Sequence, residues 1–266
     1  MSAALVDVGD ARLACDVQGE PGRPWIALSN SLGADLSMWD AQMAMLTRTH
    51  RVLRYDTRGH GRSSLGSEPV TMSRLVLDVV ALLDHFGIER ADVMGLSLGG
   101  MTALGLGLDH PQRLRRLVCA AARADTAPAA AEAWNARIAA VEAGGMATVA
   151  EATLERWFTP AARAQRPAVV DRVRATFLAT PVQGYVACAQ AIKALAYGPR
   201  LPSLSAPALF VAGDADVAAP PEVMRAMAEA SPQGAFEIIA HAAHLINIEQ
   251  AERFDAIVSR FLAAPV

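Results

Sequence analysis

The sequence predicts an α/β protein: a mostly parallel central sheet with helices on both faces and a helical cap inserted into it. Two observations predict this fold class. Short apolar runs alternate with segments of helical periodicity in the first 120 residues and again after residue 207, an order typical of a parallel sheet covered on both faces. Between these regions alanine, arginine and glutamate dominate, and no run resembles a buried strand.

The elements follow from local patterns taken in chain order. Alternation around Gly9-Asp10 predicts an opening hairpin within residues 5–19. The predicted buried strands are the apolar runs 25–29, 51–55, 91–94, 117–120, 208–212 and 236–239. The predicted helices are 38–46, 73–86, the segment after residue 97, 221–230 and 249–262. We therefore expect a core of residues 1–123 and 198–266, and an all-helical cap of residues 124–197.

Composition narrows the class of protein. A chain of 266 residues with 53% apolar content is long enough for one large core and is too apolar to be disordered or fibrous. The formal net charge of -3 gives no overall attraction to nucleic acid or to an anionic membrane. No apolar stretch reaches the ~18 residues of a membrane span. We expect no nucleic-acid or membrane partner, while the oligomeric state stays open.

The cysteines give information about the cellular compartment and do not indicate a disulfide or metal site. Cys15, Cys119 and Cys188 are odd in number, far apart and without metal-ligand spacing. This pattern favours free, buried thiols in a reducing compartment, so we expect a cytoplasmic protein.

The stretch from Gly95 to Gly99 carries the strongest chemical signal. It places Ser97 between two glycines at two-residue spacing, after a predicted strand and before a helical pattern. A sharp strand-to-helix turn of this kind lifts a serine hydroxyl out of the sheet and requires neighbours with almost no side chain. Ser97 is therefore the candidate nucleophile, and the amide of Leu98 directly after it is a candidate donor to an oxyanion.

A nucleophilic serine needs a base, and the base needs an acid that fixes its tautomer. In a sheet of this kind acid and base lie on loops beyond later strands, which leaves His241 or His244 as base and Asp214 or Asp216 as acid. Spacing does not choose within either pair. His241 and His244 also form an H-x-x-H, but no third ligand lies nearby, so we expect no metal site.

Several segments carry a family resemblance. They are 29–35 (SNSLGAD), 38–40 (MWD), 55–63 (YDTRGHGRS), 95–100 (GLSLGG) and 244–250 (HLINIEQ). In these segments the chain resembles the α/β-hydrolase family, and within it the 3-oxoadipate enol-lactonases, over nearly its whole length. The resemblance implies the α/β-hydrolase fold and a serine hydrolase that needs no cofactor.

The resemblance also assigns roles. The family's Gly-x-x-Asp followed by Pro-Pro falls on Gly213 to Pro221 and favours Asp216 as the acid, and His244 becomes the base. The loop after the strand at 25–29 would supply the second oxyanion donor through the backbone of Leu32. The reaction implied is the opening of a small anionic enol-lactone, 3-oxoadipate enol-lactone to 3-oxoadipate, in the β-ketoadipate pathway of aromatic catabolism.

Four residues of the cap and its junction are candidates for substrate binding. The indoles of Trp134 and Trp157 could wall a small pocket, and the guanidinium of Arg137 or Arg123 could bind a carboxylate through its planar fork. Each has a plain alternative, because a tryptophan can simply pack the cap helices and an arginine can be solvated.

Two other functions stay open on the sequence alone. A general esterase or perhydrolase of the same fold would keep the serine machinery without selecting an anionic lactone. A catalytically silent module that binds a small molecule would keep the fold alone. Haloalkane dehalogenation is disfavoured, because that chemistry uses a carboxylate where this chain has Ser97.

Overall fold

The computed structural model describes residues 4–265, and within them eight strands form one sheet. The strands are β1 Ala4–Asp7, β2 Arg12–Gln18, β3 Trp25–Ser29, β4 Arg51–Tyr55, β5 Ala91–Leu96, β6 Leu114–Ala120, β7 Ala208–Gly213 and β8 Gly234–Ile239. Their order in the sheet is β1-β2-β4-β3-β5-β6-β7-β8. The strand β2 runs antiparallel to β1 and β4, and every pairing from β4 to β8 is parallel. The predicted fold class is confirmed.

Helices cover the sheet and form the inserted segment. They are α1 Asp40–Leu46, α2 Met72–His85, α3 Leu98–Asp109, α4 Pro128–Gly144, α5 Ala147–Trp157, α6 Pro160–Gln165, α7 Pro167–Ala179, α8 Val182–Lys193, α9 Pro221–Ala230, α10 Ile246–Glu249 and α11 Ala251–Ala263. The five helices from α4 to α8 lie between β6 and β7, and we call them the cap. None of the helices in residues 4–265 is both long and apolar enough to cross a membrane.

Local sequence explains where these elements form. Every residue of β5 is buried, as expected of a central strand in a sheet covered on both faces. The helix α2 begins after Thr71, whose side chain accepts a hydrogen bond from the amide of Arg74 at 3.1 Å. The helix α3 packs on β5 and β6 and is buried over nearly its whole length, which its run of glycine, alanine and leucine allows.

The prediction of one helix over 249–262 is wrong in its first part. The structure has a short helix α10, a break at Gln250 with φ -128° and ψ 52°, and then α11. The four residues of α10 are too few for periodicity to distinguish a helical turn from a strand end. The break matters because α10 begins only two residues after His244.

A buried ion pair holds the loop after β4. The guanidinium of Arg58 is fully buried and donates to Asp78 on α2 at 2.6 and 2.7 Å, to Asp10 at 3.1 Å, and to the carbonyl of Leu65 at 3.0 Å. A buried charge is tolerated only when it is paired and hydrogen-bonded. These contacts of Arg58 therefore fix the loop against α2 and against the β1–β2 hairpin.

The cap contacts that loop through two glycines. A Cβ on Gly184 in α8 would clash with the carbonyl oxygen of Gly59, and a Cβ on Gly59 would lie 2.5 Å from the Cα of Gly184. Gly59 also has φ +71°, a conformation that favours glycine. The two backbones can approach this closely only because neither residue carries a side chain.

Removing Asp78 should destabilise the fold strongly. Asp78→Ala leaves the buried Arg58 charge with a single carboxylate partner, and breaking a buried pair costs about 3 to 5 kcal/mol. The matched control is Asp84→Ala on the same helix, because the Asp84 side chain is 63% exposed and its pair with Arg113 is a surface pair worth about 0 to 1 kcal/mol. Urea unfolding of both variants measures the difference, and equal losses would contradict the importance of the Arg58 pair.

Candidate active site

Ser97 occupies a sharp turn between β5 and α3. Its backbone has φ 57° and ψ -118°, a conformation that a residue with a side chain adopts at a cost of about 1 to 3 kcal/mol. Hydrogen bonds hold it there: the Ser97 amide donates to the carbonyl of Ala120 at 2.9 Å, and the Ser97 carbonyl accepts from the amide of Met101 at 2.9 Å. The turn presents the hydroxyl at the carboxyl end of the sheet.

The glycines around Ser97 are required by close backbone contacts. A Cβ on Gly95 would clash with the carbonyl oxygen of Gly99, and a Cβ on Gly99 would clash with the carbonyl oxygen of Ser29 on β3. These atoms belong to backbone, which cannot move aside as a flexible side chain can. The spacing that marked Ser97 in the sequence thus has a steric cause.

Asp216 and His244 lie on the loops after β7 and β8 and contact each other. His244 Nδ1 donates to Asp216 Oδ2 at 2.8 Å, while Asp216 Oδ1 accepts from the amides of Ala218 at 2.7 Å and Ala219 at 3.1 Å. Because an ionised carboxylate only accepts hydrogen bonds, Nδ1 carries the proton. The other ring nitrogen, Nε2, is then the one able to accept a proton.

The surroundings of Asp216 keep it ionised. Burial raises the pKa of its carboxyl, but the charge and hydrogen bond of His244 and the amides of Ala219 and Ala218 lower it further than burial raises it. The net pKa lies below the usual carboxyl value. Asp216 can therefore orient His244 and stabilise an imidazolium at neutral pH.

The structure distinguishes the two candidate acids and the two candidate bases between which sequence spacing could not choose. Asp214 is exposed and accepts from the amide of Ala242 at 3.2 Å, which shapes the loop that leads to His244. His241 is exposed and has φ 59°. Of the two aspartates and two histidines, only Asp216 and His244 are buried and hydrogen-bonded to each other.

Ser97 and His244 line one cavity of about 320 Å³ between the carboxyl edge of the sheet and the cap. This volume suits a small ligand. The Ser97 hydroxyl and the His244 imidazole make no hydrogen bond with each other in the described structure. Such contacts between a nucleophile and its base often become short only around bound substrate.

Two backbone amides are the candidate donors to an oxyanion. The amide of Leu98 is the first of α3, and that of Leu32 lies on the loop after β3; within residues 4–265 neither donates to another group. The Leu32 loop is held by Asn30, whose side chain donates to the carbonyl of Tyr55 at 2.7 Å and accepts from the Trp39 indole at 3.0 Å. A fixed loop is what preorganised donors require.

The four residues expected to bind substrate all line the same cavity: Arg123, Trp134, Arg137 and Trp157. Trp157 is buried and packs edge-on against Phe177, with ring centroids 5.4 Å apart. It therefore both packs the cap and walls the cavity.

The two arginines differ in how they are held. Arg137 donates from Nε to the hydroxyl of Tyr185 and from Nη2 to the hydroxyl of Thr153, and it lies over the Trp134 ring at 5.8 Å from the centroid. Arg123 donates from Nε to the carbonyl of Ala218. Arg137 thus joins helices α4, α5 and α8 at the cavity wall.

Arg156 and Tyr185 are among the cavity residues that sequence reasoning missed. A signal for Arg156 exists, since Thr153, Arg156 and Trp157 recur at the three- and four-residue spacing that places side chains on one helix face. Tyr185 had none, because its contact with Arg137 spans 48 residues.

The part of the chain that the structure describes shows neither a reactive thiol nor a cluster of metal ligands. Cys15, Cys119 and Cys188 are free and buried, as predicted, and burial raises the pKa of each thiol to about 12. No three histidine, cysteine, aspartate or glutamate side chains of residues 4–265 gather as metal ligands would.

Comparison with known proteins places the chain in a family. The sequence model described as "alpha/beta hydrolase fold" matches residues 24–251. The chain belongs to the α/β-hydrolase family. It is 37% identical over 250 residues to 3-oxoadipate enol-lactonase 1 of Acinetobacter baylyi, covering 94% of this chain and 92% of that one. Identity to 3-oxoadipate enol-lactonase 2 of the same organism is 34% over 247 residues, 91% of each chain.

A solved structure agrees with these relatives. The enol-lactonase from Burkholderia xenovorans LB400 superposes with a TM-score of 0.93 at 38% identity, covering 99% of this chain and 100% of that one. This α/β hydrolase therefore shares its whole architecture, including the inserted cap, with an enol-lactonase, and its function is that of a hydrolase.

Gly99→Ala should disrupt the turn at Ser97. The new methyl meets the Ser29 carbonyl, and forcing atoms into a packed site costs about 1 to 3 kcal/mol or more. Gly107→Ala on the same helix is the control, because its methyl meets only the side-chain ends of Leu204 at 2.7 Å and Leu114 at 2.8 Å. Gly99→Ala should lower both the unfolding temperature and the rate of ester hydrolysis more than Gly107→Ala does. Equal effects of the two changes would contradict the steric interpretation.

Proposed function

We propose that this α/β hydrolase opens a small, carboxylate-bearing enol-lactone, 3-oxoadipate enol-lactone, to give 3-oxoadipate, with Ser97 as nucleophile, His244 as base and Asp216 as orienting acid. The observation that carries the proposal is the 2.8 Å hydrogen bond from His244 Nδ1 to Asp216 in the cavity that Ser97 also lines. The enol-lactonase relatives, similar over more than nine-tenths of this chain, support the substrate.

In the first half of the reaction His244 Nε2 takes the proton of Ser97 as the hydroxyl oxygen attacks the lactone carbonyl. Asp216 stabilises the imidazolium that forms. The amides of Leu98 and Leu32 donate to the carbonyl oxygen as it becomes an oxyanion, and one such donor contributes about 2.7 to 4 kcal/mol. The bond between the carbonyl carbon and the ring oxygen then breaks and leaves an acyl-serine.

The leaving group is an enol, and this eases the chemistry. An enol oxygen departs more readily than an alkoxide, so it needs little more than the proton that His244 holds. The enol then tautomerises to the ketone. In the second half His244 removes a proton from water, and the water oxygen attacks the acyl carbon. The bond from that carbon to the Ser97 oxygen then breaks, and His244 returns the proton to Ser97 as the free acid leaves.

The carboxylate of the lactone needs a cation, and Arg137 is the residue we assign to it. Its guanidinium is fixed by the hydroxyls of Tyr185 and Thr153, both neutral, and an arginine has five donors. Arg123 and Arg156 line the same cavity and add positive charge. Trp134 and Trp157 would pack against the ring of the lactone.

We also propose that the enzyme works in the cytoplasm on this small anionic substrate and uses no cofactor. The three free cysteines fit a reducing compartment.

Asp216→Asn should lower kcat by about 10⁴-fold with little change in thermal stability, because an amide at this position no longer fixes Nδ1 as the protonated nitrogen. The matched control, Asp214→Asn, changes an exposed carboxylate two residues away and should leave kcat nearly unchanged. Steady-state kinetics on the enol-lactone measures both. A full rate in Asp216→Asn would remove Asp216 from the mechanism.

Arg137→Met should reduce kcat/KM for the anionic lactone by about 10- to 100-fold, since a hydrogen bond to a charged group contributes about 1.5 to 3 kcal/mol. Turnover of a neutral p-nitrophenyl ester should change much less. Arg174→Met, which alters an ion pair on the cap surface, is the control. An equal loss on both substrates would mean that Arg137 only joins the cap helices.

Two measurements test the whole proposal. A fluorophosphonate probe should label Ser97, and Ser97→Ala should abolish the labelling; an unreactive Ser97 would indicate a silent binding module. The enol-lactone should be turned over far better than a neutral p-nitrophenyl ester. A strong preference for the neutral ester would instead favour a general esterase.

A further inference from the structure

Glu249 is a buried carboxylate that bonds the residue before His244. It is the last residue of α10, it is 6% exposed, and its Oε2 accepts from the amide of Ala243 at 2.8 Å. Buried carboxylates are rare unless they are fully hydrogen-bonded. The position of this side chain therefore sets the position of the loop that carries His244.

The other oxygen of Glu249 bonds the cap. Oε1 accepts from the backbone amide of Thr159 at 3.0 Å and from the Thr159 hydroxyl, which also accepts from the amide of Ala162 at 3.2 Å. Thr159 lies between α5 and α6, two residues after the cavity residue Trp157. One carboxylate thus connects the cap to the His244 loop.

Two further contacts join the same parts of the molecule. The amide of Leu245, directly after His244, donates to the carbonyl of Trp157 at 3.1 Å. The Arg166 side chain, at the start of α7, donates to the carbonyls of Ile248 and Glu249, each at 3.0 Å. Both chain neighbours of His244 therefore have their amides bonded to the cap, one directly and one through Glu249.

We infer that Glu249 is a positioning residue that couples the cap segment 157–159 to His244, so that the base has its working position only when the cap is seated. The inference rests on the proposed role of His244 as base. Glu249 touches no reacting atom; it acts through the amide of Ala243.

The coupling follows from the cost of a buried charge. If Thr159 moved away, Oε1 of Glu249 would lose both of its donors, and a buried carboxylate oxygen without a donor is unfavourable. Glu249 would then turn to a new donor or to water and release Ala243. Because a displacement of about 1 Å at a catalytic group can cost 100-fold in rate, a loosened His244 loop would slow the reaction.

Labelling of Ser97 by a fluorophosphonate tests the inference independently of substrate binding. Glu249→Ala should slow labelling and kcat by about 10- to 100-fold, with a smaller change in KM. Glu249→Gln keeps one acceptor oxygen and presents an NH₂ to the other donor, so it should fall between Glu249→Ala and the unaltered enzyme. Glu252→Gln, an exposed glutamate three residues further on, should label at the normal rate.

A double-mutant cycle separates positioning from general stability. Thr159→Val removes the hydroxyl donor and should slow labelling when Glu249 is present, but should have no further effect when Glu249 is alanine. Thr159→Ser keeps the hydroxyl and should restore the rate. Variants are compared at temperatures well below their own unfolding midpoints, so that only folded enzyme reacts. If Glu249→Ala does not fold, the comparison of Thr159→Val with Thr159→Ser still provides the test.

The outcomes distinguish this inference from the proposed function. If the unaltered enzyme labels at Ser97 while Glu249→Gln and Thr159→Val label at the same rate, the coupling is wrong and the serine mechanism stands. Additive effects of the Glu249 and Thr159 changes would also overturn the coupling. If the unaltered enzyme fails to label, both the serine mechanism and the coupling fail.

Discussion

The site depends on the parallel direction of the strands from β3 to β8. Parallel strands end at the same edge, so loops that are far apart in sequence meet there. The loop after β3 brings Leu32, the turn after β5 brings Ser97, and the loops after β7 and β8 bring Asp216 and His244. Ser97 and His244 are 147 positions apart in the numbering, yet they line one cavity. The sheet, rather than any local motif, makes them neighbours.

Backbone strain gathers at that same edge. Within residues 4–265, three residues other than glycine have positive φ: Ser97 after β5, Ala121 after β6 and His241 after β8. Neighbouring strands hold the first two, since the Ser97 amide donates to Ala120 and the Ala121 amide donates to Val211, both at 2.9 Å. Strained residues persist where the surrounding structure fixes them. The hydrogen-bonded edge thus stabilises turns that the loops alone would not keep.

How much the sequence could predict depends on the range of each interaction. The strand predicted at 25–29 is β3 Trp25–Ser29, because a buried parallel strand is a local apolar run. Local spacing could not choose between Asp214 and Asp216, since both follow the same strand and only their backbone conformations turn one side chain inward. The break at Gln250 and the contact of Glu249 with Thr159 also escaped prediction. The contact depends on a partner about 90 residues away in the sequence. The break depends on a turn that has no sequence signature.

The proposed role of Arg137 would connect the architecture of the cap with the charge of its ligand. It joins α4 to α5 and α8 through two neutral hydroxyls, and within the described residues it forms no ion pair. A partly buried guanidinium with only neutral partners is incompletely compensated, because transfer of a charge away from water is unfavourable without an opposite charge. An anion in the cavity would supply that charge and would displace no existing ion pair. An uncharged ester would leave the guanidinium as it is, so the cap should discriminate between the two by electrostatics as well as by shape. If Arg137 binds the carboxylate as proposed, the residue that joins the cap helices at the cavity wall also gives the cavity its preference for an anion.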